Sequence, residues 1–344
     1  MTLIPFWEYN LTKRIFQEVR NSMPSKLQRF TDDGWAIWID GDDKSTIYLN
    51  DWMNPKGKNY IDIGIRIYGV GRSSDATVFI PFPIEEKEVQ DLSFLLANPS
   101  VLRGIFNTHS MDAIKITPYI SVLNYEKRTF NLLHLNPDIL DFHNVAYGTI
   151  LTIQLKAVQN QLTSNELYIL FRIPHKSLDN LFASRLDVNR SINRLKERIS
   201  SPLEIRKYGY SIRINEARLL PPEINAIEPL HEQHLRKALV TISLDEAYEL
   251  NDSNCYRIRR LEPDLYYDYA PTGYNCNNAI TYQWVEERPV SVKAHYNFYF
   301  AITHSSINKK SLSVYLLVVL LTAVCGNAIY ALVSYFAAWL IHLL

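Results

Sequence analysis

The 34 residues from Ser311 to Leu344 constrain this chain more than any others: they contain no Asp, Glu, Lys or Arg and are dominated by Leu, Val, Ala, Ile, Tyr and Phe. A bilayer hydrocarbon core about 30 Å thick is crossed by about 20 helical residues. As one helix the run would extend roughly 51 Å at 1.5 Å per residue, more than a simple span needs. Two arrangements fit: a tilted span of about 22 residues followed by an interfacial helix, or a short hairpin broken at Gly326-Asn327. The single span is the expectation, because Gly is tolerated in membrane helices and no charged or Pro-rich turn divides the run.

Orientation follows from charge. The stretch Met1-Thr2-Leu3-Ile4-Pro5-Phe6-Trp7-Glu8 offers neither the basic region nor the apolar stretch of a signal peptide. Lys309 and Lys310 stand immediately before the apolar run, which carries no positive charge itself. The positive-inside rule then places residues 1–310 in the cytoplasm, with 309–344 as a tail anchor in the membrane, the inner or plasma membrane if the cell is prokaryotic.

Within the tail, Ala323, Asn327, Ala331, Ser334, Ala338 and His342 follow one another at spacings of four, four, three, four and four, so they share one helix face. Small residues let helix backbones approach, and an amide in hydrocarbon needs a polar partner. The stripe is read as a helix-packing face through which the tail forms a homo-oligomer. The competing expectation is an inert anchor in which Ala and Ser recur without consequence.

The rest of the chain has the makings of a folded, β-rich α+β protein. Lys+Arg and Asp+Glu both number 36, so no bulk field draws the molecule to nucleic acid, and direct nucleic-acid binding is not favoured. Cys255, Cys276 and Cys325 are too few and too far apart for a disulfide framework or a four-cysteine zinc site, which suits a reducing compartment.

Period-two alternation marks the strands. From Tyr60 to Gly69, Ile61, Ile63, Ile65 and Ile67 face one way and Asp62, Gly64, Arg66 and Tyr68 the other, the signature of a half-buried strand. Gly71–Asp75 is then read as the turn of a hairpin into Ala76–Phe82, and Asp40-Gly41-Asp42-Asp43 as the turn of an earlier hairpin joining Trp35–Ile39 to Ser45–Leu49. Thr149–Val158 and Glu166–Ile173 repeat the order, with helices expected after each pair at Glu85–Ala97 and Ser177–Ile199. Offsets of 89 residues (Tyr60 to Thr149) and 93 residues (Pro81 to Pro174) read as an internal duplication of strand, strand and helix.

Further strands are expected at Lys115–Leu123, Thr129–Leu135, Tyr208–Asn215, Leu239–Leu244, Cys255–Leu261, Tyr282–Glu286 and Val290–Thr303, with a helix between Pro221 and Ala238. Asn136-Pro137-Asp138 suggests a joint near residue 140. The expected layout is therefore an N-terminal β module (1–140), a second β module (141–308) with short helices, and the membrane anchor, reached through a linker of about seven residues.

No catalytic constellation emerges. GxSxG, P-loop, GxGxxG, CxxC and kinase-like sets are absent from the sequence, and Gly69-Val70-Gly71 is not followed by the helix a nucleotide fingerprint requires. His231 and His234 lie three apart, but the protease spacing is one residue short and no third ligand is near, so no metal or cofactor is expected. Lys176–Arg218 holds ten basic residues against five acidic ones, a solvated surface or an anionic contact.

The expected binding site lies further on. Arg257, Arg259 and Arg260 share a strand, with Arg257 and Arg259 on one face, and beside them runs a loop with Tyr266, Tyr267, Tyr269 and Tyr274. Tyrosines offer flat contact area with hydroxyl handles, and guanidinium groups recognise carboxylate or phosphate. These residues are the candidate surface for a protein or anionic-ligand partner.

The reading that joins these features is a membrane-anchored, non-enzymatic sensor-effector, whose cytoplasmic domain binds a partner and controls an oligomerising or membrane-disturbing tail. In a prokaryote, stress or anti-phage defence is a setting for such an architecture. A scaffold or adaptor on an inert anchor is the alternative, and a membrane-bound hydrolase or nuclease with a dispersed site the second.

Overall fold

The computed structural model describes residues 34–41, 44–54, 58–106, 111–115, 117–125, 128–145, 148–175, 183–185, 203–227, 235–246, 248–251, 255–289, 295–307 and 309–343. Among these residues the first elements are β1 (Ala36–Ile39), β2 (Thr46–Met53), β3 (Asn59–Ile67), β4 (Asp75–Ile80) and β5 (Gln90–Asp91), followed by α1 (Pro99–Phe106). The chain continues through β6 (Met111–Lys115), β7 (Ile120–Tyr125), β8 (Arg128–Leu133), β9 (Leu140–Val145), β10 (Gly148–Gln154), β11 (Leu167–His175), β12 (Ala183–Arg185) and β13 (Leu203–Ile214). The short α2 (Pro222–Asn225) leads to β14 (Lys237–Leu244), β15 (Tyr248–Leu250) and β16 (Arg257–Arg260). After α3 (Pro263–Tyr266) come β17 (Ile280–Glu287), β18 (Tyr296–Ile307) and α4 (Lys309–Leu343). The protein is thus β-rich with a few short helices and one long C-terminal apolar helix.

The described strands form three sheets. Ten belong to one sheet, in the order β16-β17-β14-β2-β3-β11-β8-β7-β6, with β5 also paired to β11; β1-β4-β10-β9 and β12-β13-β18-β15 make four-stranded sheets. Most pairs are antiparallel; β14 runs parallel to β2, and β11 parallel to β8. The alternating isoleucines of β3 pack with Ile47 and Leu49 of β2, Ile169 and Phe171 of β11, and Val240 and Ile242 of β14 in the main core. Ile37, Val78 and Leu151 from the first small sheet and Tyr210, Ile212, Phe300 and Ile302 from the second close that core from the other side. The opposite face of the large sheet is covered too: Trp52, Tyr168 and Leu170 pack with Val101 and Leu102 of α1 and with Leu261, Tyr266 and Tyr269. β3 is therefore buried on both faces, not half-buried.

Several expected pairings are corrected. β1 and β2 form no hairpin, and neither do β3 and β4 or β10 and β11; each pair is split between the small sheet and the ten-stranded one. Local alternation specifies a strand and its buried face, but not which sheet supplies its neighbours. The proposed duplication fails on the same ground, since β3 lies in the large sheet and its supposed counterpart β10 in a small one. The joint near residue 140 separates no sheets, because the large sheet combines β2, β3 and β5–β8 with β11, β14, β16 and β17.

The helices are corrected as well. Instead of a helix over Glu85–Ala97 there are two 3-10 turns, Glu86–Glu88 and Leu95–Ala97, flanking β5, whose backbone pairs with Phe171 and Arg172. Of the helix expected between Pro221 and Ala238, the described part is helical over Pro222–Asn225 and a strand from Lys237, while 228–234 lie outside the described residues. Ser177–Ile199 lies outside the described residues except for Ala183–Arg185, which is strand. The tail has no break at Gly326-Asn327: α4 is one helix of 35 residues. Nor does a seven-residue linker precede it, because β18 ends at Ile307 and α4 begins at Lys309.

Asp40-Gly41 does make a turn, with a different role from the expected one. Its Asp40 amide donates to the Asp75 carbonyl at 3.0 Å and its carbonyl accepts from Ser74 at 3.2 Å, which fixes the exit from β1 against the start of β4. Gly41 has φ of 85°, and a Cβ there would collide with the Arg72 carbonyl oxygen. Gly41→Ala should therefore destabilise the fold by at least about 1–2 kcal/mol, measured as a lowered urea midpoint of the full chain in detergent. An unchanged midpoint would mean that the turn can reshape.

Candidate functional site

A polar row crosses the outer face of the ten-stranded sheet. Direct cross-strand partners link Arg257 to Gln283, Gln283 to Thr241, Thr241 to Asn50, Asn50 to Asp62 and Asp62 to Arg172. The period of two along each strand assembles this row from six strands. One end is buried and the other open.

At the buried end, Arg172 Nε donates to Asp62 Oδ1 at 2.5 Å, and a second guanidinium nitrogen donates to Oδ2 at 2.9 Å. The pair is almost fully enclosed, with side-chain exposures of 4% and 2%, so both charges depend on each other and on fixed donors. Trp52 Nε1 and the Tyr269 hydroxyl donate to Asp62 Oδ2 at 2.7 and 2.8 Å, while Arg172 also donates to the Tyr269 carbonyl at 2.8 Å. The Trp52 and Tyr269 rings flank the guanidinium at 5.6 and 5.2 Å. Burial by itself would lower the Arg172 pKa, but the adjoining Asp62 carboxylate raises it above the ordinary guanidinium value. Burial and then the Asp62 charge push the Tyr269 phenol well above its usual range, so it stays a donor.

The tyrosine loop is therefore chiefly a cover over this pair. Tyr266 and Tyr269 are buried, at 5% exposure each, and are core rather than contact area. Tyr274 is half-buried with its ring edge-on to Trp52 at 5.0 Å. Tyr267 alone of the four is on the surface, at 82% exposure. Cys255 and Cys276, which flank the loop, are both free thiols.

At the open end, β16 is the sheet edge. Arg257 is exposed and Arg259 half-buried, and both line a cavity of about 90 Å³ with Ile105, Thr241, Thr281 and Gln283. Arg259 donates to the Tyr266 hydroxyl and lies 5.2 Å from its ring centroid; that hydroxyl in turn donates to the Gly104 carbonyl at 3.0 Å. Burial raises the Tyr266 pKa, with Arg259 pulling the other way. Arg260 points to the opposite face and donates to the Asn277 carbonyl at 2.6 Å and to Asn278 Oδ1 at 3.1 Å. The structure thus brings Arg257 and Arg259 together at a cavity and assigns Arg260 to tying down the loop.

Two further polar clusters went unread in the sequence. Asp51 Oδ1 accepts from His175 Nε2 at 2.9 Å, and Tyr210 of β13 donates to Oδ2, a buried link between the large sheet and the one that contains β18. His134 lies between Ser121 at 2.7 Å and Ser93 at 2.5 Å, and Ser93 donates to Asp91 at 2.6 Å. Burial raises the Asp91 carboxyl, with Ser93 hydrogen bonds opposing the shift. The order resembles a hydrolytic relay, but Ser121 is 1% exposed and no substrate reaches it. Nothing in the sequence spacing of these residues could have revealed them.

Among the described residues no group of three His, Cys, Asp or Glu is placed to hold a metal ion. His231 and His234 lie outside the described residues, as does most of Lys176–Arg218; Arg213 and Arg218 of that segment pair with Glu216.

α4 places Ala323, Asn327, Ala331, Ser334 and Ala338 within an arc of about 80°. Thr322 returns its hydroxyl to the Val318 carbonyl at 2.8 Å, and Ser313 its own to Lys309 at 2.9 Å. The side chains of Asn327 and Ser334 make no hydrogen bond among the described residues.

These features define a β-rich domain bearing one C-terminal helix long and apolar enough to cross a membrane. Within its stretch Leu312–Ile341 an 18-residue window has a mean hydropathy of 2.3, and none of that window is buried among the described residues. No family model matches the chain, and no curated protein matches it. Among solved structures it is similar to the Fcho1 Mu homology domain of Danio rerio with bound Eps15 peptide, at 7% identity over 81% of this chain and 82% of that one, with a TM-score of 0.18. A likeness at that score informs neither fold nor function.

The buried pair yields a direct test. Asp62→Leu or Arg172→Met alone leaves a buried charge without its partner and should cost about 3–5 kcal/mol each. The double variant should lose less than their sum, with an interaction energy of about 2–3 kcal/mol in a urea-unfolding cycle. Strictly additive losses would show that the two residues do not act as a unit.

Proposed function

We propose that this protein is a membrane-anchored, non-enzymatic sensor-effector: the β-rich domain lies on the cytoplasmic face and binds a partner or anionic ligand, and α4 sits in the bilayer and associates with other copies of itself. The observation that carries this reading is the junction between domain and helix. One residue separates β18 from α4, and the apolar side chains of α4, including Leu316, Leu320, Ile329, Leu332 and Phe336, stand exposed, with none of the described residues covering them. Thirty residues of helix span about 45 Å against about 30 Å of hydrocarbon, and the surplus is taken up by tilt or by a last turn in the interface. β18 pairs with β13 over twelve residues, and a shift in β18 reaches α4 across a single intervening residue.

Self-association is supported by the unpartnered amide of Asn327 and hydroxyl of Ser334, which in lipid are satisfied by a neighbouring helix. Lys309 and Lys310 at the start of α4 favour the cytoplasmic placement of the domain.

Asn327→Leu combined with Ala331→Leu should leave the protein in the membrane fraction and shift it to smaller species by light scattering in detergent. Loss of one interhelical hydrogen bond of about 0.6–2 kcal/mol corresponds to roughly 3- to 30-fold weaker association. Replacing residues 311–344 with an unrelated apolar anchor should have the same effect. An assembly untouched by both changes would favour a scaffold on an inert anchor.

A further inference from the structure

We infer that the cavity between Arg257 and Arg259 is a binding site for one phosphate group. Its lining among the described residues offers donors from two guanidinium groups, the Thr241 hydroxyl and the Gln283 amide; the Thr281 hydroxyl there is hydrogen-bonded to Ser243 at 3.3 Å, and Ile105 of α1 is the apolar wall. No carboxylate lines it, and neither arginine has a carboxylate within salt-bridge distance among the described residues. Arg259 is held by the neutral Tyr266 hydroxyl, so its charge is positioned but not cancelled.

Size and charge select the ligand class. About 90 Å³ holds roughly three waters' share of liquid volume, or a single tetrahedral oxyanion. Two uncompensated positive charges match a phosphomonoester, which carries about −1.5 to −2 at neutral pH. Two forked guanidinium groups with the Thr241 hydroxyl and the Gln283 amide present about six N–H and O–H groups, more than the about four lone-pair sites of a carboxylate accept, whereas a phosphoryl group presents three free oxygens. The sheet dictates the arrangement: Arg257 pairs with Gln283 and Arg259 with Thr281, while Thr241 sits across from Gln283 on the next strand. Arg260, one residue on, faces away and binds the loop.

The inference rests on reading the β-rich domain as the sensing part, yet it fails separately from that reading, since the tail experiments do not involve β16. The test is calorimetric titration of the full chain in phosphatidylcholine nanodiscs with inorganic phosphate, against chloride at matched ionic strength. Wild type should bind saturably. Arg257→Gln should bind at least about tenfold more weakly while the melting temperature without phosphate stays unchanged, because one charge-assisted donor is lost from an exposed position. Arg260→Gln, with the same change in net charge, should bind as wild type does. Equal weakening by both variants, or an Arg257→Gln titration indistinguishable from wild type, overturns the site.

Nanodiscs doped with phosphatidic acid then identify the source of the group. Weakened phosphate binding by wild type in those discs, lost in Arg257→Gln, identifies a lipid headgroup as the occupant. Unaltered binding identifies a soluble phosphorylated ligand.

Discussion

The ion pair of Asp62 and Arg172 organises the outer face of the large sheet. A buried charge pair adds little net stability compared with a well-packed apolar pair, since both partners are taken out of water. Its consequence lies in position. Asp62 and Arg172 are direct partners on β3 and β11, and their remaining hydrogen-bonding capacity is met by Trp52 on β2 and by both the hydroxyl and the carbonyl of Tyr269. The pair therefore fixes the register of two central strands and at the same time specifies where the loop after β16 docks. Once Tyr269 is seated, Tyr266 meets Gly104 on α1 and Arg259 on β16, so the edge of the sheet is positioned from its centre.

That chain of contacts makes Tyr266 and Tyr269 part of the core, while Tyr267 stays on the surface. A tyrosine has the same apolar body and hydroxyl handle whether it lies on a recognition surface or over a buried carboxylate, and composition does not separate the two. Period two was legible wherever one face is a run of isoleucine or valine, as in β3, and so was the shared face of Arg257 and Arg259. Asp62 on β3 was visible as the polar side of the strand, but its burial depended on Arg172, 110 residues later, and on a loop about 200 residues later. Pairing was illegible for the same reason: β14 aligns with β2 across nearly 200 residues, and nothing local encodes that partnership.

The tail was the most legible segment because bilayer physics acts on composition directly, through the absence of charge over a sufficient length. What sequence could not supply was the tightness of the junction. Strand β18 persists to Ile307, beyond the residue where its alternation becomes indistinct, because β13 offers a partner up to Leu203. The same two strands link the helix to the main core through Tyr210, Phe300 and Ile302, and to Asp51 and His175 through the Tyr210 hydroxyl. Paired backbone thus runs to Ile307, one residue short of the helix.

The central claim is that α4 lies in lipid. Cys325 sits near its midpoint and is exposed, so a nitroxide attached there, with Cys255→Ser and Cys276→Ala removing the other thiols, reports its surroundings in reconstituted vesicles. The account predicts that the label collides readily with oxygen, which concentrates in hydrocarbon, and hardly at all with a water-soluble nickel chelate. Ready collision with the nickel chelate would place Cys325 in water and contradict the account.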